Sequence, residues 1–561
     1  MTHAFPIPRI AWPGGLATAA STLAILIVSL GYYSLYIDSG LNTADDGMYA
    51  QIAYELLLGT DPHELAYPYG LMWFKLGQLV FALTGPSWHA VQLIFYTMIT
   101  ATSVLLYLTV ARTTRNHPLA VLAALIAVLV PAYPATAFYP FCALLNTHFQ
   151  VRLAERWRTM RPVDVLAPAA AVSVTFQIRA DFGFLFCVPL AGLLLLGALS
   201  RRDGAWRRRL TVLGASALAM LLIVQLPVLV RAAMRGYLDL VTMEVLHYPI
   251  AIMTYLLAVF HPPAGAADAL AAQQSGAGTL LARPALSALE GLWTAEPDAL
   301  LAVLIYGPLL VFGLFGLVIL FRLARFGGER VPVLLVVLAG ALATWPHCFL
   351  FRPDLPHVAN FMPGFLVLAC VLVAETRALV GSDRGLGAGV AGSVAILPLV
   401  IAACFLQLGL TAPGTGSIAG SGERTERFSA QTVPAVRVSQ LEYRQLTGVR
   451  DLITATAAPD ERIVCVPFCP GMAFMTGHRM LLREYFVDDS FLLRDPGWID
   501  RAIATTRAAP PPVVVVVDWA IQGTELSRFQ NWAHRYINAL ITDGYVRQDV
   551  PGIMIYRRPP G

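Results

Sequence analysis

LNTADDGMYAQIAYELLLG, Leu41 to Gly59, places two adjacent carboxylates, Asp45 and Asp46, just after the first long apolar run of the chain. Tyr49, Ile52 and Leu56 follow Asp45 at helical spacing, which predicts a short helix lying along a membrane surface. A carboxylate pair at such a boundary is costly unless it has water, partners or a task. An Asp ahead of an apolar-periodic helix also caps it, because its oxygen accepts a free backbone N–H. The functional reading is a general base. Partial desolvation raises carboxylate basicity, and a carboxylate at the membrane–water boundary takes a proton from an attacking hydroxyl. The second carboxylate would orient the first or join it in holding a metal.

The rest of the 561 residues is that of a polytopic helical membrane protein. The chain is 57% hydrophobic and 13% charged, where soluble domains run near one quarter charged; mean hydropathy is +0.64. The formal net charge of +4 matters less than where the charges sit. A crossing helix needs roughly 20 apolar residues, and about eleven runs approach that: 16–36, 89–111, 118–135, 137–152, 163–178, 183–200, 210–230, 300–321, 331–350, 360–376 and 387–410. The first reads as a retained anchor, since no cleavage site follows a short apolar core.

Arginine placement orients the frame. With the N-terminus inside, the inner loops carry Arg9; Arg112 and Arg115; Arg152, Arg156, Arg158 and Arg161; Arg201, Arg202, Arg207, Arg208 and Arg209; Arg322, Arg325 and Arg330; Arg377 and Arg384. The outer loops before the tail carry Lys75, Arg179, Arg231, Arg235, Arg283 and Arg352. That asymmetry fits the positive-inside rule with N in and C out. The expected arrangement is a transmembrane domain over 1–410 with long outer loops at 37–88 and 231–299, then a soluble extracytoplasmic α/β domain over 411–561. In that tail, Glu461–Phe468 and Pro511–Trp519 read as buried strands, with helices near 437–457 and 525–543 and a closing hairpin. Cys465 and Cys469 in the tail read as unpaired thiols or as a disulfide.

On this frame the charged residues of the outer face gather into groups. Arg179 and Asp181 sit in a tight turn, either as a local ion pair or with the arginine aimed at an anion. Arg352, Asp354 and His357 lie between two spans, with Pro353 and Pro356 stiffening the backbone; charge that dense at a span end points to function. His63 and Glu64 are weaker candidates. No P-loop, dinucleotide fingerprint, HExxH or nucleophile elbow is present. A carboxylate base, outer-face cations and a helical membrane domain suit a lipid-phosphate sugar donor whose phosphate leaves against arginine.

At ADDGMYAQIAYELLLG the chain resembles the membrane glycosyltransferases of the GT-C fold, which include the protein mannosyltransferases and the lipid A aminoarabinose transferases. The resemblance implies Asp45 as the catalytic carboxylate, Asp46 as its acidic neighbour and Tyr49 as an aromatic partner. Tyr67–Gly85 is similar to the next family element, a Pro-rich turn and a juxtamembrane helix. One departure stands out: family members often have a Lys just before the Pro-rich turn, where this chain has Ala66 and Tyr67, with Lys75 further on. The implied function is an inverting transfer of a sugar from a polyprenyl-phosphate donor to an acceptor hydroxyl of a glycan, glycolipid or protein. It would take place on the periplasmic face of the inner membrane, with a possible divalent cation and no nucleic acid partner. Substrate contacts are expected from Tyr49, His63, Glu64, Lys75, Arg179, Asp181, Arg352, Asp354 and His357. The competing expectations are a transporter or flippase, or an assembly protein, for lipid-linked sugars.

Overall fold

The computed structural model describes residues 15–35, 37–67, 69–200, 205–241, 297–346, 355–380, 384–411, 422–488, 495–520 and 525–559. Arg352 and Asp354, and the part of the 231–299 loop over 242–296, lie outside the described residues. The helical part contains α1 (Gly15–Ser34), α2 (Asp45–Leu57), α3 (Leu71–Thr84), α4 (Trp88–Thr114), α5 (His117–Leu129), α6 (Phe138–Ala154) and α7 (Pro162–Ile178). It continues with α8 (Ala180–Leu199), α9 (Trp206–Met234), α10 (Pro297–Phe326), α11 (Val331–Pro346), α12 (Leu355–Val380) and α13 (Arg384–Thr411).

Each apolar run in the sequence falls on one of these helices. Among the described residues seven are long and apolar enough to cross a membrane: α1, α4, α8, α9, α10, α12 and α13. α6 and α7 match their runs with 17 residues each, whereas α5 is shorter than the run 118–135. α5 has 13 residues and so rises about 20 Å, against a hydrocarbon core of roughly 30 Å. The Pro131–Pro140 region ends it, with a 3-10 turn at Pro134–Thr136 before α6. Proline supplies no N–H to continue the ladder.

α12 is the hub of the bundle. It packs on α4, α6, α10, α11 and α13, and 83% of its apolar window is buried against 11% for α1 and α9. Amides tie neighbouring helices where water is excluded. Asn146 donates to Thr175 Oγ1 at 2.7 Å, Gln150 to the Phe186 carbonyl at 3.0 Å, and Gln177 to the Val224 carbonyl at 3.0 Å. Such bonds are favoured between membrane helices because the alternative is a polar group facing hydrocarbon.

The C-terminal region is α/β. A hairpin of β1 (Glu426–Ala430) and β2 (Val433–Val438) precedes helix α14 (Gln440–Thr456). Then come β3 (Arg462–Val466), α15 (Pro470–Met475), β4 (Arg479–Met480), α16 (Trp498–Ala508), β5 (Val513–Val517), α17 (His534–Thr542), β6 (Val546–Val550) and β7 (Ile553–Arg557). The five-stranded sheet has the order β4-β3-β5-β7-β6. β3 is parallel to β4 and β5, and the β6–β7 hairpin adds antiparallel. The all-valine β5 is central, with Val513 to Val516 fully buried, as a continuous apolar strand requires. Cys465 and Cys469 form a disulfide at the end of β3.

This region docks on the segments flanking α2. Gly40 N–H donates to the Arg437 carbonyl at 2.7 Å, and Arg437 N–H to the Asp38 carbonyl at 2.6 Å, joining β2 to the chain just after α1. α15 lies against the start of α2. A Cβ at Gly47 would stand 2.6 Å from the Gly471 backbone, and one at Gly471 2.7 Å from Thr43 Cα. Only glycine permits that approach.

Candidate functional site

α2 is enclosed by its neighbours rather than laid along a surface. Every residue from Asp46 to Leu56 is buried, which corrects the expectation of a surface helix. α3 covers one side and α4 another, while the α/β region takes a third. Polar groups fix the last contact. Gln51 donates to the His478 carbonyl at 3.0 Å, and Tyr54 to the Gly477 carbonyl at 3.2 Å. Glu55, 1% exposed, accepts from Arg479 Nε at 3.0 Å, the Met480 N–H at 2.8 Å and Thr60 Oγ1 at 2.6 Å.

Asp45 and Asp46 open this helix. Neither caps it: the N-cap is Ala44, with no side-chain cap bond, and Asn42 Oδ1 instead accepts from the Ala44 N–H at 3.0 Å. The two carboxylates differ in setting. Asp45 is half-buried. Asp46 is 4% exposed; its Oδ2 accepts from Gln92 of α4 at 3.0 Å, and its Oδ1 has no hydrogen-bond partner among the described residues. Burial pushes the Asp46 carboxyl up to about 7; the Gln92 bond opposes this and the adjacent Asp45 charge adds to it.

That shift makes stability depend on pH. An unfolded Asp releases its proton near pH 4, whereas the folded chain holds it to about 7. The folded state binds more protons between those values, so stability is full below them, falls as pH rises through about 7, and levels off above. The thermal midpoint of the wild type in detergent is expected to drop between about pH 4 and 7, and Asp46→Asn to flatten that slope. Parallel slopes in the two proteins would show that Asp46 is ionised throughout.

Tyr49 is buried in the core between α2 and α3. It is 1% exposed, its hydroxyl donates to the Trp73 carbonyl at 3.0 Å, and its ring packs on Trp73, Phe74 and Phe95. It locks α3 to α2. Arg179 pairs with Asp181 at 2.8 Å, both largely buried, and its guanidinium lies 4.7 Å from the Tyr139 ring centre and 5.7 Å from that of Tyr69. The local ion pair is therefore made, and its charge is largely neutralised. His63 bridges two carboxylates, Asp61 at 2.9 Å and Asp239 at 3.0 Å; hydrogen bonds to both raise its pKa. Glu64 stands 3.7 Å from Arg462. His357 is half-buried in the first turn of α12.

Lys75 gains neighbours that sequence reading passed over. Its ammonium sits 5.3 Å from the Tyr237 ring centre. Burial lowers its pKa, and the nearby charges of Arg231 and Arg235 lower it further. None of these three cations has a carboxylate partner among the described residues. A signal for them existed: Arg231 and Arg235 are four apart at the end of an apolar run, hence on one helix face.

The chain is similar to two crystal structures of ArnT from Cupriavidus metallidurans. To the form bound to undecaprenyl phosphate it is 15% identical, over 96% of this chain and 97% of that one, with a TM-score of 0.48. To the apo form it is 15% identical over the same shares, with a TM-score of 0.46. No protein-family model matches the chain, and no curated protein does.

Chemically, the arrangement offers a half-buried carboxylate beside a buried one on α2, and cations on the adjoining α3 and at the end of α9 that no carboxylate neutralises among the described residues. No group of three or more His, Cys, Asp or Glu stands together as metal ligands among the described residues.

Proposed function

We propose that the protein is an integral-membrane inverting glycosyltransferase that moves a sugar from a polyprenyl-phosphate donor to an acceptor hydroxyl. The observation that carries this reading is the division of labour between neighbouring helices: an acidic pair opens α2, while on the adjoining α3 Lys75 groups with Arg231 and Arg235, without carboxylate partners among the described residues. The sequence resemblance to the GT-C glycosyltransferases supports the same reading.

The acceptor oxygen attacks the anomeric carbon as its proton passes to Asp45. The bond from that carbon to the phosphate oxygen breaks, and the polyprenyl phosphate leaves with the electron pair. A single displacement inverts the anomeric configuration. Asp46 holds its proton to about pH 7, and Asp45 is the carboxylate of the pair with access to solvent. The cation cluster takes up the charge of the leaving phosphate, where fixed positive groups stabilise the transition state most. The site and the α/β region are assigned to the periplasmic face, in keeping with the arginine asymmetry. His63, Glu64, Arg352, Asp354 and His357 are assigned to substrate contacts on that side, and Arg179 with Asp181 to the wall behind them.

The test is a panel of polyprenyl-phosphate sugars offered to the purified protein in nanodiscs with membrane extract as acceptor. Released polyprenyl phosphate is read by mass spectrometry. Release from one donor is expected. A folded protein that binds the lipids but releases nothing from any of them would transfer the assignment to a flippase or an assembly protein. The cation cluster makes its own prediction: Arg235→Gln should weaken donor binding about tenfold, since a hydrogen bond to a charged group contributes roughly 1.5–3 kcal/mol. Isothermal titration with polyprenyl phosphate measures it, and unchanged affinity would remove Arg235 from the site.

A further inference from the structure

A second basic site lies at the other end of the bundle. Trp88, at the start of α4, donates its backbone N–H to the Thr432 carbonyl of the α/β region at 2.8 Å, whereas Arg112 lies about 36 Å further along that helix, about the thickness of a bilayer core. There the ends of α4, α6 and α7 enclose a cavity of about 120 Å³. Arg112, Arg152, Arg156 and Asp164 form its polar side, and Phe149, Leu153 and Pro168 part of an apolar wall. At roughly 30 Å³ per water molecule it has room for about four, enough for a phosphate group and its ester oxygens.

Its charge is not balanced among the described residues. Arg112 Nε pairs with Glu155 at 2.8 Å, and Asp164 is shared by Arg156 at 3.0 Å and Arg161 at 3.3 Å. Arg152 has no carboxylate partner among the described residues and lies 5.8 Å from the Phe149 ring centre. Arginines thus exceed carboxylates around an opening that is apolar on its other side. Val163 and Leu166 on the first turns of α7 are exposed apolar residues, so the cavity borders the lipid-facing surface. Arg112, partly buried, and the more exposed Arg152 and Arg156 line one opening between three helices, the form taken by phospholipid headgroup pockets.

We propose that this cavity binds the phosphate of an anionic glycerophospholipid from the leaflet opposite the α/β region, with the apolar wall taking the glycerol and first methylenes. Guanidinium groups suit it because they pair bidentately with phosphate oxygens. The proposal is independent of the reaction assigned above.

Native mass spectrometry of the full chain tests it, with phosphatidylglycerol, phosphatidylcholine of the same acyl chains, or inorganic phosphate added. Phosphatidylglycerol adducts are expected to exceed phosphatidylcholine adducts at least fivefold. Arg152→Gln with Arg156→Gln should erase that excess, while Arg207→Gln with Arg208→Gln, at the same bundle end outside the cavity, should leave it. Ala167→Trp fills the opening while retaining every arginine, and should erase it too; it serves as the decisive variant if removing Arg156 unfolds the protein. Equal retention by the filled or charge-depleted variants would overturn the proposal. So would equal binding of phosphatidylcholine, or displacement of the lipid by millimolar inorganic phosphate, which would mark a free-anion site.

Discussion

Asp45→Asn is expected to lower sugar transfer about 10³-fold, within the range for removal of a positioned general base, while leaving donor affinity unchanged. The amide has the size of the carboxylate but does not accept the acceptor's proton. The donor phosphate is assigned to Lys75, Arg231 and Arg235, which the substitution does not touch. Single-turnover release of polyprenyl phosphate, beside a binding isotherm for the same donor, separates these effects. Asp46→Asn should reduce turnover far less, because Asp46 already holds a proton up to about pH 7. The assignment of roles fails if the order is reversed, with Asp46→Asn inactive and Asp45→Asn competent.

Arg479→Met is expected to destabilise the protein by about 3 kcal/mol, the lower end of the cost of removing one partner from a buried ion pair. Glu55 is almost fully buried, and donors converge on it from Arg479, Met480, Thr60 and Gln51, of which only Arg479 is charged. Without the guanidinium its charge is left inside. The thermal midpoint in detergent should fall by several degrees, and limited proteolysis should cleave the α/β region more readily. Adding Glu55→Leu to Arg479→Met should recover part of the loss, since the uncompensated carboxylate is then gone. A double variant no more stable than the single one would show that the contact acts through shape rather than charge. Turnover is expected to fall with stability in Arg479→Met, because α2 carries Asp45 and is held in register from this side.

The glycine pair shows how sequence and structure divide the explanation. Gly47 and Gly471 are over 400 positions apart, yet a Cβ on either would collide with the backbone of the other segment. Read along the chain, Gly47 is one more small residue in a helix, and nothing local marks it as a contact. Tyr49 gives the opposite lesson. Its place after the acidic pair drew the eye to chemistry; its packing follows from physics alone, since a large ring one helical turn from the pair and facing α3 is driven inward by the apolar area it buries. Lys75 was legible as the chain's single lysine on an outer helix. Its grouping with Arg231 and Arg235 was not, because those residues lie more than 150 positions away on α9.

What the sequence determined by itself is the part governed by local physics. Apolar runs must form helices in a membrane, since each backbone polar group needs an internal partner, and each such run is a helix here. Short β-branched runs between turns became β3 and β5, and the closing hairpin became β6 and β7. The acidic pair at the start of a helix was likewise visible in one segment. Tertiary structure alone decided that α2 is enclosed, that Asp46 is buried while Asp45 keeps access to solvent, and that Arg179 is neutralised by Asp181. It also decided that basic side chains gather at opposite ends of the bundle. Burial, desolvation and charge balance depend on what distant segments bring to a point, and hydrophobic periodicity along the chain records only which face turns inward, not what meets it there.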